Sequence, residues 1–560
     1  MKVSPWGLVA VAVVPALFGL SNAMQDVDPA QYADVSRRML ESGNWLDLRD
    51  MNGPFVNKPP MMFWAQAICM KVLGVGELAA HLPALLYGVL AVFGTFWAGR
   101  VLKDSRLGAI AATFVASSVA FHLMIADPKV DMPLMAFSTL AIAATYQSRT
   151  RPRAMWAAWV FAACAMLSKG PIGVVLPMLA VGPELIRREW HPSASLRARI
   201  FSVKPLRGVL IVAALVAPFY VALWLHVGPE ALHYLLWRQS AGKLNGTSGY
   251  LNDTTAFFYL HTSLWAFLPF VPLTITGLVR RAIAFAHARA LPGDPTRIVV
   301  WWLVLPMMLI SASTFKLPQY LYWVTPAAAL IAAHETLRLS ERVARGLIVT
   351  TRVLSAIAIV AAALALTFIF TGSWWWLAAP VAGLVLSVLN ERSQAATADL
   401  HPAPVEGPAR PERVAAELVF AMFGAMVLLH GYAMPAMLTF QPYQLMGESI
   451  RRREPTQSVI PVAAMEPSFA LAFYSRRDPT YMSPLELLDA VKATGPRLLV
   501  LGPDLPPSAF DEVGLTLTPV EKFTSYATSR PRWVFFNQET RQNTLMPVLL
   551  VRASLTSSPQ

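Results

Sequence analysis

This sequence contains thirteen long apolar runs, and a fold must shield all of them from water. A helix needs about 20 mainly apolar residues to cross a bilayer, so runs of this kind predict membrane-spanning helices. The predicted spans are residues 6–22, 80–98, 107–125, 132–147, 154–168, 171–186, 207–226, 256–279, 298–313, 320–336, 347–370, 374–390 and 416–437. Three of them, at 132–147, 154–168 and 171–186, are short, which leaves the count open by one or two. Because 55% of the residues are hydrophobic and only 14% are charged, we predict an α-helical polytopic membrane protein.

The net charge of +13 does not indicate a nucleic-acid partner, because the basic residues are grouped in alternate loops. Such groups follow the second, fourth, sixth, eighth and tenth spans; Arg149, Arg151 and Arg153 follow the fourth, and Arg280 and Arg281 follow the eighth. This alternation is typical of the cytoplasmic loops of membrane proteins. We therefore expect the N-terminus in the cytoplasm and both the first large loop and the C-terminal segment on the outer side.

The first apolar run has two interpretations. Lys2, the run itself and the small residues from Ser21 to Ala23 resemble a secretory signal with a cleavage site. An uncleaved first span is the better interpretation, because it tethers the polar loop that follows at both of its ends.

Three regions are predicted along the chain. Residues 1–437 form the membrane domain, whose first outer loop (23–79) contains two helices at the membrane interface, at 30–41 and 60–73. Residues 391–415 are a Pro- and Ala-rich cytoplasmic linker that we expect to be disordered. Residues 438–560 form a small extracytoplasmic α/β domain, because strand patterns at 458–463 and 497–502 alternate with helix patterns at 466–475 and 484–494.

Ionisable residues in the outer loops are the candidates for a functional site. Charged groups at membrane depth are costly and indicate function, although lysines and arginines also extend to the interface without any other role. The outer loops bring acids, bases and two tyrosines to one membrane surface. The candidates are Asp26, Asp28, Tyr32, Lys58, Asp127, Lys129, Asp131, Lys169, Arg238, Lys243, Lys316 and Tyr320.

This combination of residues suits a lipid donor that is linked through phosphate. Lysines beside the bilayer neutralise a lipid phosphate as point charges, and a carboxylate accepts the proton of an attacking hydroxyl or steers an acceptor. Asp127 and Asp131 are four residues apart, which places them on one face of a helix. Asp28 and Asp131 also fit the alternative role of helix N-caps, and a cap does not exclude a catalytic role.

Five motifs in this sequence resemble those of the bacterial GT-C glycosyltransferases. Asp28-Pro-Ala-Gln-Tyr-Ala-Asp, followed by Lys58-Pro-Pro, looks like the first periplasmic loop of the aminoarabinose transferases that modify lipid A and of the related protein O-mannosyltransferases. The other matches, in the order of the family, are Lys129-Val-Asp-Met-Pro, Leu167-Ser-Lys-Gly-Pro, Trp237 with Gly242-Lys-Leu, and Lys316-Leu-Pro-Gln-Tyr-Leu. The resemblance covers about residues 5–340, and the C-terminal part matches only in layout.

The resemblance implies an inverting membrane glycosyltransferase of the bacterial inner membrane with a periplasmic active site. The donor would be a sugar on undecaprenyl phosphate or another polyprenyl phosphate, and the acceptor lipid A, another envelope glycan or a protein. Asp28 falls on the catalytic aspartate of the family and would activate or orient the acceptor. Asp131 falls on a second acidic position, and we predict it as a catalytic residue that shapes the sugar or acceptor pocket. Lys58 falls on a residue that contacts the lipid phosphate, and Lys243 and Lys316 fall on basic positions near the donor.

The sequence departs from the family at a position that helps to hold a metal in some members. An acid usually precedes Lys-Pro-Pro, but Asn57, a poorer ligand, stands there in this chain, and Asn252 lies near the position of a histidine in the family. No cofactor is therefore certain, and a divalent metal stays open, with Asp26 as an extra acid that would compensate. Cys69 and Cys164 lie in apolar runs, which argues against a cysteine-based site.

Two other classes of protein compete with this interpretation. A transporter or flippase of lipid-linked sugars typically has paired halves with helices broken at the midplane, whereas the polar residues here lie in outer loops. A non-catalytic assembly protein built around the C-terminal domain would leave the loop acids unexplained. The identity of the sugar and of the acceptor is open in the sequence.

Overall fold

Helices form most of the chain, as the apolar runs predict. The structure is a computed structural model of the 560-residue chain. It describes residues 4–186, 190, 195–249, 252, 254–286, 297–369, 372–398, 410–455, 457–526 and 532–556. Each of the thirteen apolar runs contains a helix.

The helices up to the middle of the chain carry most of the residues discussed below. Their bounds are α1 Pro5–Leu17, α2 Asp28–Ser42, α3 Met61–Leu73, α4 Glu77–Leu102, α5 Ser105–Ser117, α6 Val119–Ala126, α7 Asp131–Gln147, α8 Ala154–Lys169, α9 Ile172–Ile186, α10 Leu196–Ser202, α11 Pro205–Val227, α12 Pro229–His233, α13 Gly242–Asn245, α14 Phe258–Ala266, α15 Val271–Ala286 and α16 Arg297–Ser311. A π-helix, Tyr234–Ala241, joins α12 to α13, and two short strands, β1 Arg49–Asp50 and β2 Gly53–Pro54, form a hairpin before α3.

The remaining helices complete the membrane domain and the C-terminal domain. Two 3₁₀ turns, Pro318–Tyr320 and Tyr322–Val324, precede α17 Thr325–Thr336, and a third, Trp374–Leu377, follows α18. The other bounds are α18 Glu341–Phe368, α19 Ala378–Ala398, α20 Pro411–Leu428, α21 Met434–Leu438, α22 Tyr443–Arg453, α23 Phe469–Ser475, α24 Pro484–Thr494, α25 Ser508–Asp511, α26 Trp533–Phe536 and α27 Gln538–Arg541. A π-helical turn, Leu429–Ala433, lies between α20 and α21, and a 3₁₀ turn, Gln542–Thr544, follows α27.

The protein is a multi-pass membrane protein. By length and composition, four described helical segments can cross a bilayer: Glu77–Leu102, Leu196–Val227, Glu341–Phe368 and Pro411–Leu438. Helices α5 and α6 make a fifth if they count as one span, although they are bent by 51° where Ser118 caps the start of α6. Several other apolar helices are shorter than a full crossing, so the thirteen spans stay a prediction.

The first outer loop folds between the membrane helices and the C-terminal domain. Both predicted helices of this loop are present as α2 and α3, but α2 is enclosed by protein and does not lie on a surface. Its polar residues Asp34 and Arg37 are buried because they pair with each other at 2.6 Å. Tyr32 packs edge-on against Phe55 and Phe63, with ring centroids 6.2 and 5.2 Å away, which fixes α2 against the hairpin and α3.

The predicted small α/β domain at the C-terminus is confirmed. Its five strands, β3 Val459–Ala463, β4 Asp478–Tyr481, β5 Arg497–Leu501, β6 Leu515–Ser525 and β7 Met546–Leu555, form one sheet in the order β4-β3-β5-β7-β6. Strand β3 is parallel to β4 and β5, whereas β7 is antiparallel to β5 and β6. The first strand and α24, with its Ser483–Glu486 capping box, lie where the sequence predicts them.

The predicted cytoplasmic linker is helical at both of its ends. Helix α19 continues to Ala398 and α20 begins at Pro411, so helix occupies part of the range 391–415, and residues 399–409 lie outside the described part of the chain. The physical reason is a group of ion pairs: Glu391 pairs with Arg352 and, at 2.5 Å, with Arg413. The boundary at residues 437 and 438 stays a prediction.

Candidate active site

Loops and helix ends from six parts of the chain enclose a polar cavity of about 150 Å³. Eight of the twelve residues that the sequence singles out line this cavity. The lining residues are Asp28, Gln31, Tyr32, Phe55, Asn57, Lys58, Lys129, Asp131, Lys169, Gln239, Lys243, Phe315, Leu317, Gln319 and Tyr320. The structure therefore gathers most of the dispersed candidates in one place.

Asp28 is the first residue of α2 and is the carboxylate most accessible from the cavity. Its side chain is 45% exposed, and its Oδ2 lies 3.6 Å from Nζ of Lys129. Lys129 also pairs with Asp127 at 2.8 Å. The N-cap of α2 is Val27, so the carboxylate of Asp28 does not fill the capping role considered as an alternative. Asp28 is therefore oriented by a lysine and is still open to a ligand.

Burial and mutual attraction change the pKa values of Asp127 and Lys129. Burial raises the pKa of Asp127, and Lys129 opposes this shift. Burial by itself would lower the pKa of Lys129, but the charges of Asp127 and Asp28 outweigh it and raise that pKa. Lys129 thus stays positively charged beside Asp28.

Asp131 begins α7 and is only 2% exposed. Its Oδ1 accepts hydrogen bonds from Nε1 of Trp323, at 2.6 Å, and from Nζ of Lys169. The N-cap of α7 is Val130, whose side chain makes no capping bond, so Asp131 does not cap the helix either. Through these two hydrogen bonds Asp131 orients Lys169 and Trp323.

Lys58 and Lys243 approach the cavity from two outer loops. Nζ of Lys58 donates to Oε1 of Gln239 at 3.3 Å and to the carbonyl of Asn57 at 3.1 Å, and Nζ of Lys243 donates to the hydroxyl of Tyr320 at 3.3 Å. Burial and the neighbouring Lys169 lower the pKa of Lys58 to about 8. Burial, followed by the charges of Lys58 and Lys169, lowers the pKa of Lys243 to about 7. Ammonium groups that repel one another in this way favour the binding of an anion.

Lys169, the last residue of α8, lies over two aromatic rings. Its Nζ is 4.4 Å from the ring centroid of Tyr320 and 4.7 Å from that of Trp323. The two rings are stacked, with centroids 5.4 Å apart. A lysine between a carboxylate and two ring faces keeps its position through cation–π attraction as well as through its ion pair.

Four predicted site residues do not line the cavity. Asp127 does not reach the cavity itself but pairs with Lys129, which lines it. Lys316 is buried, and its backbone is held by Asn252, whose Oδ1 accepts the Lys316 N–H at 2.9 Å. Arg238 lies on the exposed side of the π-helix. Asp26 turns toward the C-terminal domain, where its Oδ1 accepts the backbone N–H of Ala470 at 3.1 Å.

Trp323 and Gln239 bond to charged residues of the cavity but are not among the candidates predicted from the sequence. Trp323 follows Tyr320 by three residues, and a 3₁₀ conformation places residues at this spacing on one side, so the i, i+3 spacing is the signal that points to it. Gln239 lies one residue beyond the predicted Arg238, and the wider turn of the π-helix brings the amide to Lys58. Its Nε2 also donates to the hydroxyl of Tyr234 at 2.8 Å, which holds the amide in place.

An apolar groove of about 450 Å³ adjoins the polar cavity. The two share Lys169, Gln239, Lys243 and Tyr320, so these four residues stand where the groove and the polar cavity meet. Its walls include Ile172 and Val175 of α9, Leu309 and Ile310 of α16, and Leu236, Trp237 and Leu244 of the outer loop. The combined space suits an amphiphile with a charged head and an apolar chain.

The residues at the cavity do not fit the metal that some members of the resembling family hold. No group of three or more His, Cys, Asp or Glu side chains within the described ranges can hold a metal ion. The position before Lys58 carries the amide of Asn57, and the carboxylate of Asp26 is bonded to Ala470 instead. Lysines at the same place would also repel a cation.

The family model described as dolichyl-phosphate-mannose-protein mannosyltransferase matches residues 57–224. An uncharacterized protein of Aquifex aeolicus is 24% identical over 531 residues, which is 92% of each chain. The undecaprenyl phosphate-alpha-4-amino-4-deoxy-L-arabinose arabinosyl transferase of Shewanella sediminis is 24% identical over 330 residues. That match spans 57% of this chain and 57% of the transferase, so the similarity to this relative covers little more than half of its length.

A solved structure shares the whole fold. ArnT from Cupriavidus metallidurans, known in the apo state and bound to undecaprenyl phosphate, superposes with a TM-score of 0.73 over 99% of this chain and 98% of that chain. The sequence identity is 19%, so this likeness concerns the fold. Together with the sequence matches it confirms the predicted resemblance to the GT-C membrane glycosyltransferases. Within that class the chain is similar to the aminoarabinose transferases.

Proposed function

We propose that the protein transfers a sugar from a polyprenyl phosphate, such as undecaprenyl phosphate, to an acceptor at the outer face of the bacterial inner membrane. The observation that carries this proposal is the junction of the two cavities. Two lysines, Lys169 and Lys243, stand where the apolar groove meets the polar cavity that contains Asp28, and a third, Lys58, lines the polar cavity beside them. A lipid phosphate needs this arrangement of positive charge beside an apolar channel.

The donor would place its phosphate among the three lysines and its prenyl chain in the groove. The phosphate of a lipid-linked sugar is a diester with one negative charge, and it becomes a monoester with further charge when the sugar leaves. Lysines that are close together stabilise this developing charge more than the initial charge, which lowers the barrier to bond breaking. Asp131 supports this role because it holds Lys169 over the rings of Tyr320 and Trp323.

The acceptor would approach from the side of Asp28. Its oxygen attacks C1 of the sugar while the bond between C1 and the phosphate oxygen breaks, so one displacement inverts the configuration at C1. When the attacking group is a hydroxyl, its proton passes to the carboxylate of Asp28, and polyprenyl phosphate leaves. When it is a phosphate, which carries no proton to lose, Asp28 and Lys129 orient it.

Lipid A is the first acceptor to test, because the motifs of this sequence resemble those of the aminoarabinose transferases that modify it. The matching transferases carry names of undecaprenyl-phosphate aminoarabinose transferases, and the family model names a protein mannosyltransferase. Another envelope glycan and a protein are therefore the alternatives. The sugar is proposed as aminoarabinose on the same ground, with other sugars as outcomes of the test.

The cavity is proposed to face the periplasm. Helix α7 begins at Asp131 in the cavity and is 17 residues long, so its other end lies about 25 Å away. Helix α8 then returns to Lys169, which leaves Arg149, Arg151 and Arg153 in the turn on the opposite side. Basic turns favour the cytoplasm, so the cavity and the C-terminal domain that contacts its loop belong on the outer side, with the N-terminus inside.

The experiment that tests the function is sugar transfer in proteoliposomes. A panel of radiolabelled polyprenyl-phosphate sugars would be offered with lipid A and with a membrane extract to the wild type and to Asp28→Asn. We expect label in an acceptor with the wild type and a loss of transfer with Asp28→Asn, because an amide can neither take the proton of a hydroxyl nor form the ion pair with Lys129 that would help to orient a phosphate. Binding of the donor should be retained, since the three lysines are unchanged. Label that only changes leaflet would favour a flippase instead.

A further inference from the structure

The segment that leads to Asp28 is held by residues from the far end of the chain. The backbone N–H of Met24 donates to the hydroxyl of Tyr474 at 2.7 Å. The backbone N–H of Asp26 donates to Oε1 of Gln441 at 3.2 Å. Both partners follow the last predicted membrane span, so the path of the chain just before the catalytic position is set from outside the membrane domain.

The carboxylate of Asp26 completes this attachment. Its Oδ1 accepts the N–H of Ala470 at 3.1 Å, and Ser468 and the backbone of Phe469 also bond to the carboxylate. Burial raises the pKa of Asp26, the three hydrogen bonds oppose the shift, and the nearby charge of Asp28 adds to it. A buried carboxylate close to a second acid is costly, and its hydrogen bonds fix it to the start of α23.

The C-terminal domain contacts α2 at two separate places. Near the start of α2, Met24 and Ala30 pack against Phe473 and Tyr474. Further along, Nη2 of Arg38 pairs with Asp478 at 2.5 Å, ten residues after Asp28. The interface between the C-terminal domain and α2 therefore has one contact near Asp28 and a second, the Arg38–Asp478 ion pair, farther from it.

We infer that the C-terminal domain is a positioning element of the active site, and that Asp26 and Tyr474 are positioning residues that fix the carboxylate of Asp28. The inference rests on the proposed function, because it takes Asp28 as the group that meets the acceptor. A displacement of the reacting group by about 1 Å reduces the rate by about 100-fold. The lysines that would hold the donor lie on other segments, so donor binding does not depend on this attachment.

The test compares Asp26→Ala and Tyr474→Phe with a matched control, Asp478→Asn, in the transfer assay. The control weakens the same interface at the contact that is remote from Asp28. We expect the two variants to lower kcat by about 10- to 100-fold and to leave the KM for the lipid-linked sugar within about twofold. Asp478→Asn should keep both constants within about twofold, and Asp26→Asn, which keeps an oxygen that accepts from Ala470, should recover part of the rate.

Three results would overturn the inference. They are an unchanged kcat in Tyr474→Phe, an equal loss of kcat in Asp478→Asn, and a loss that appears in KM and not in kcat. If Asp26→Ala does not fold, Tyr474→Phe decides the question, because it removes a single hydroxyl. Failure of the proposed function looks different: the wild type itself would then place no label in an acceptor. Equal transfer by Asp28→Asn and the wild type would remove only the role of Asp28, whatever the result for Asp26.

Discussion

At the scale of single residues, two lysines of the cavity, Lys58 and Lys243, bind their protons more weakly than an exposed lysine does. Burial and the charge of Lys169 lower the pKa of Lys58 to about 8, and burial with the charges of Lys58 and Lys169 lowers the pKa of Lys243 to about 7. A bound phosphate favours the charged form of both side chains and raises both pKa values toward the ordinary range of lysine. Binding of the donor is thus coupled to uptake of protons.

This coupling predicts that donor affinity falls as pH rises. Below about pH 7 both lysines are charged in the empty site, so affinity should be flat; above it, each lysine that must take up a proton weakens binding by up to about tenfold per pH unit. The measurement is calorimetric titration with a polyprenyl-phosphate sugar between pH 6.5 and 9.5 in buffers of different ionisation enthalpy. Lys243→Arg is the control, because arginine stays charged at every pH tested, so the number of protons taken up on donor binding should fall by up to one. An affinity independent of pH would contradict the assignment of these lysines.

The same residues show how far a sequence determines a site. Motifs around Asp28, Lys58, Asp131 and Lys169 predict their convergence, because each lies in a polar loop or helix end on one side of an alternating series of spans. The sequence does not show in the same way that Gln239, and not its neighbour Arg238, lines the cavity. Its direction depends on a π-helix, whose turn differs from the 3.6-residue period that sequence patterns assume.

At the scale of elements, the membrane helices pack closely through small residues. Helices α4 and α5 meet at Gly99 and Gly108, where a Cβ added to Gly99 would lie 2.5 Å from Cα of Gly108. Because the neighbouring atom belongs to the backbone, the helices would have to move apart. Contacts of this kind stabilise helix pairs in lipid, where no hydrophobic driving force exists between them.

Gly99→Ala should therefore destabilise the protein by about 1–3 kcal/mol, as expected for overpacking. The matched control is Gly346→Ala on α18, where an added Cβ meets no atom within 4 Å. That control should be neutral or slightly stabilising, since alanine favours a helix by up to about 1 kcal/mol over glycine. Thermal unfolding in detergent measures both; equal transition temperatures for the two variants would show that this helix contact is not tight.

At the scale of the whole molecule, the cavity and the basic turns lie at opposite ends of the same helices. Tyr481 is an exposed residue of the C-terminal domain, and Arg151 lies in the basic turn between α7 and α8. In a variant without Cys69 and Cys164, we expect Tyr481→Cys to react with an impermeant maleimide from the periplasm. Arg151→Cys should react only after the inner membrane is opened. The reverse pattern would invert the proposed orientation.

The contact between the C-terminal domain and the first loop is the part of the architecture that sequence patterns do not reveal. Asp26 and Ala470 are 444 residues apart, and Arg38 and Asp478 are 440 apart. Periodicity and turn signals report on neighbours in the chain, so they predict β3 and α24 but not where the domain docks. Local patterns therefore predict where the C-terminal domain begins more readily than they predict that it docks on the first outer loop.

The groove that adjoins the cavity has a consequence for kinetics. An enzyme that keeps the prenyl chain of its donor in an apolar channel meets that donor by lateral diffusion, and the spent carrier returns to the lipid by the same route. The quantity that saturates such an enzyme is the mole fraction of donor in the membrane, not its amount per volume of buffer. Diluting the proteoliposomes should then leave the rate per enzyme unchanged, whereas diluting the donor with other lipids should lower it.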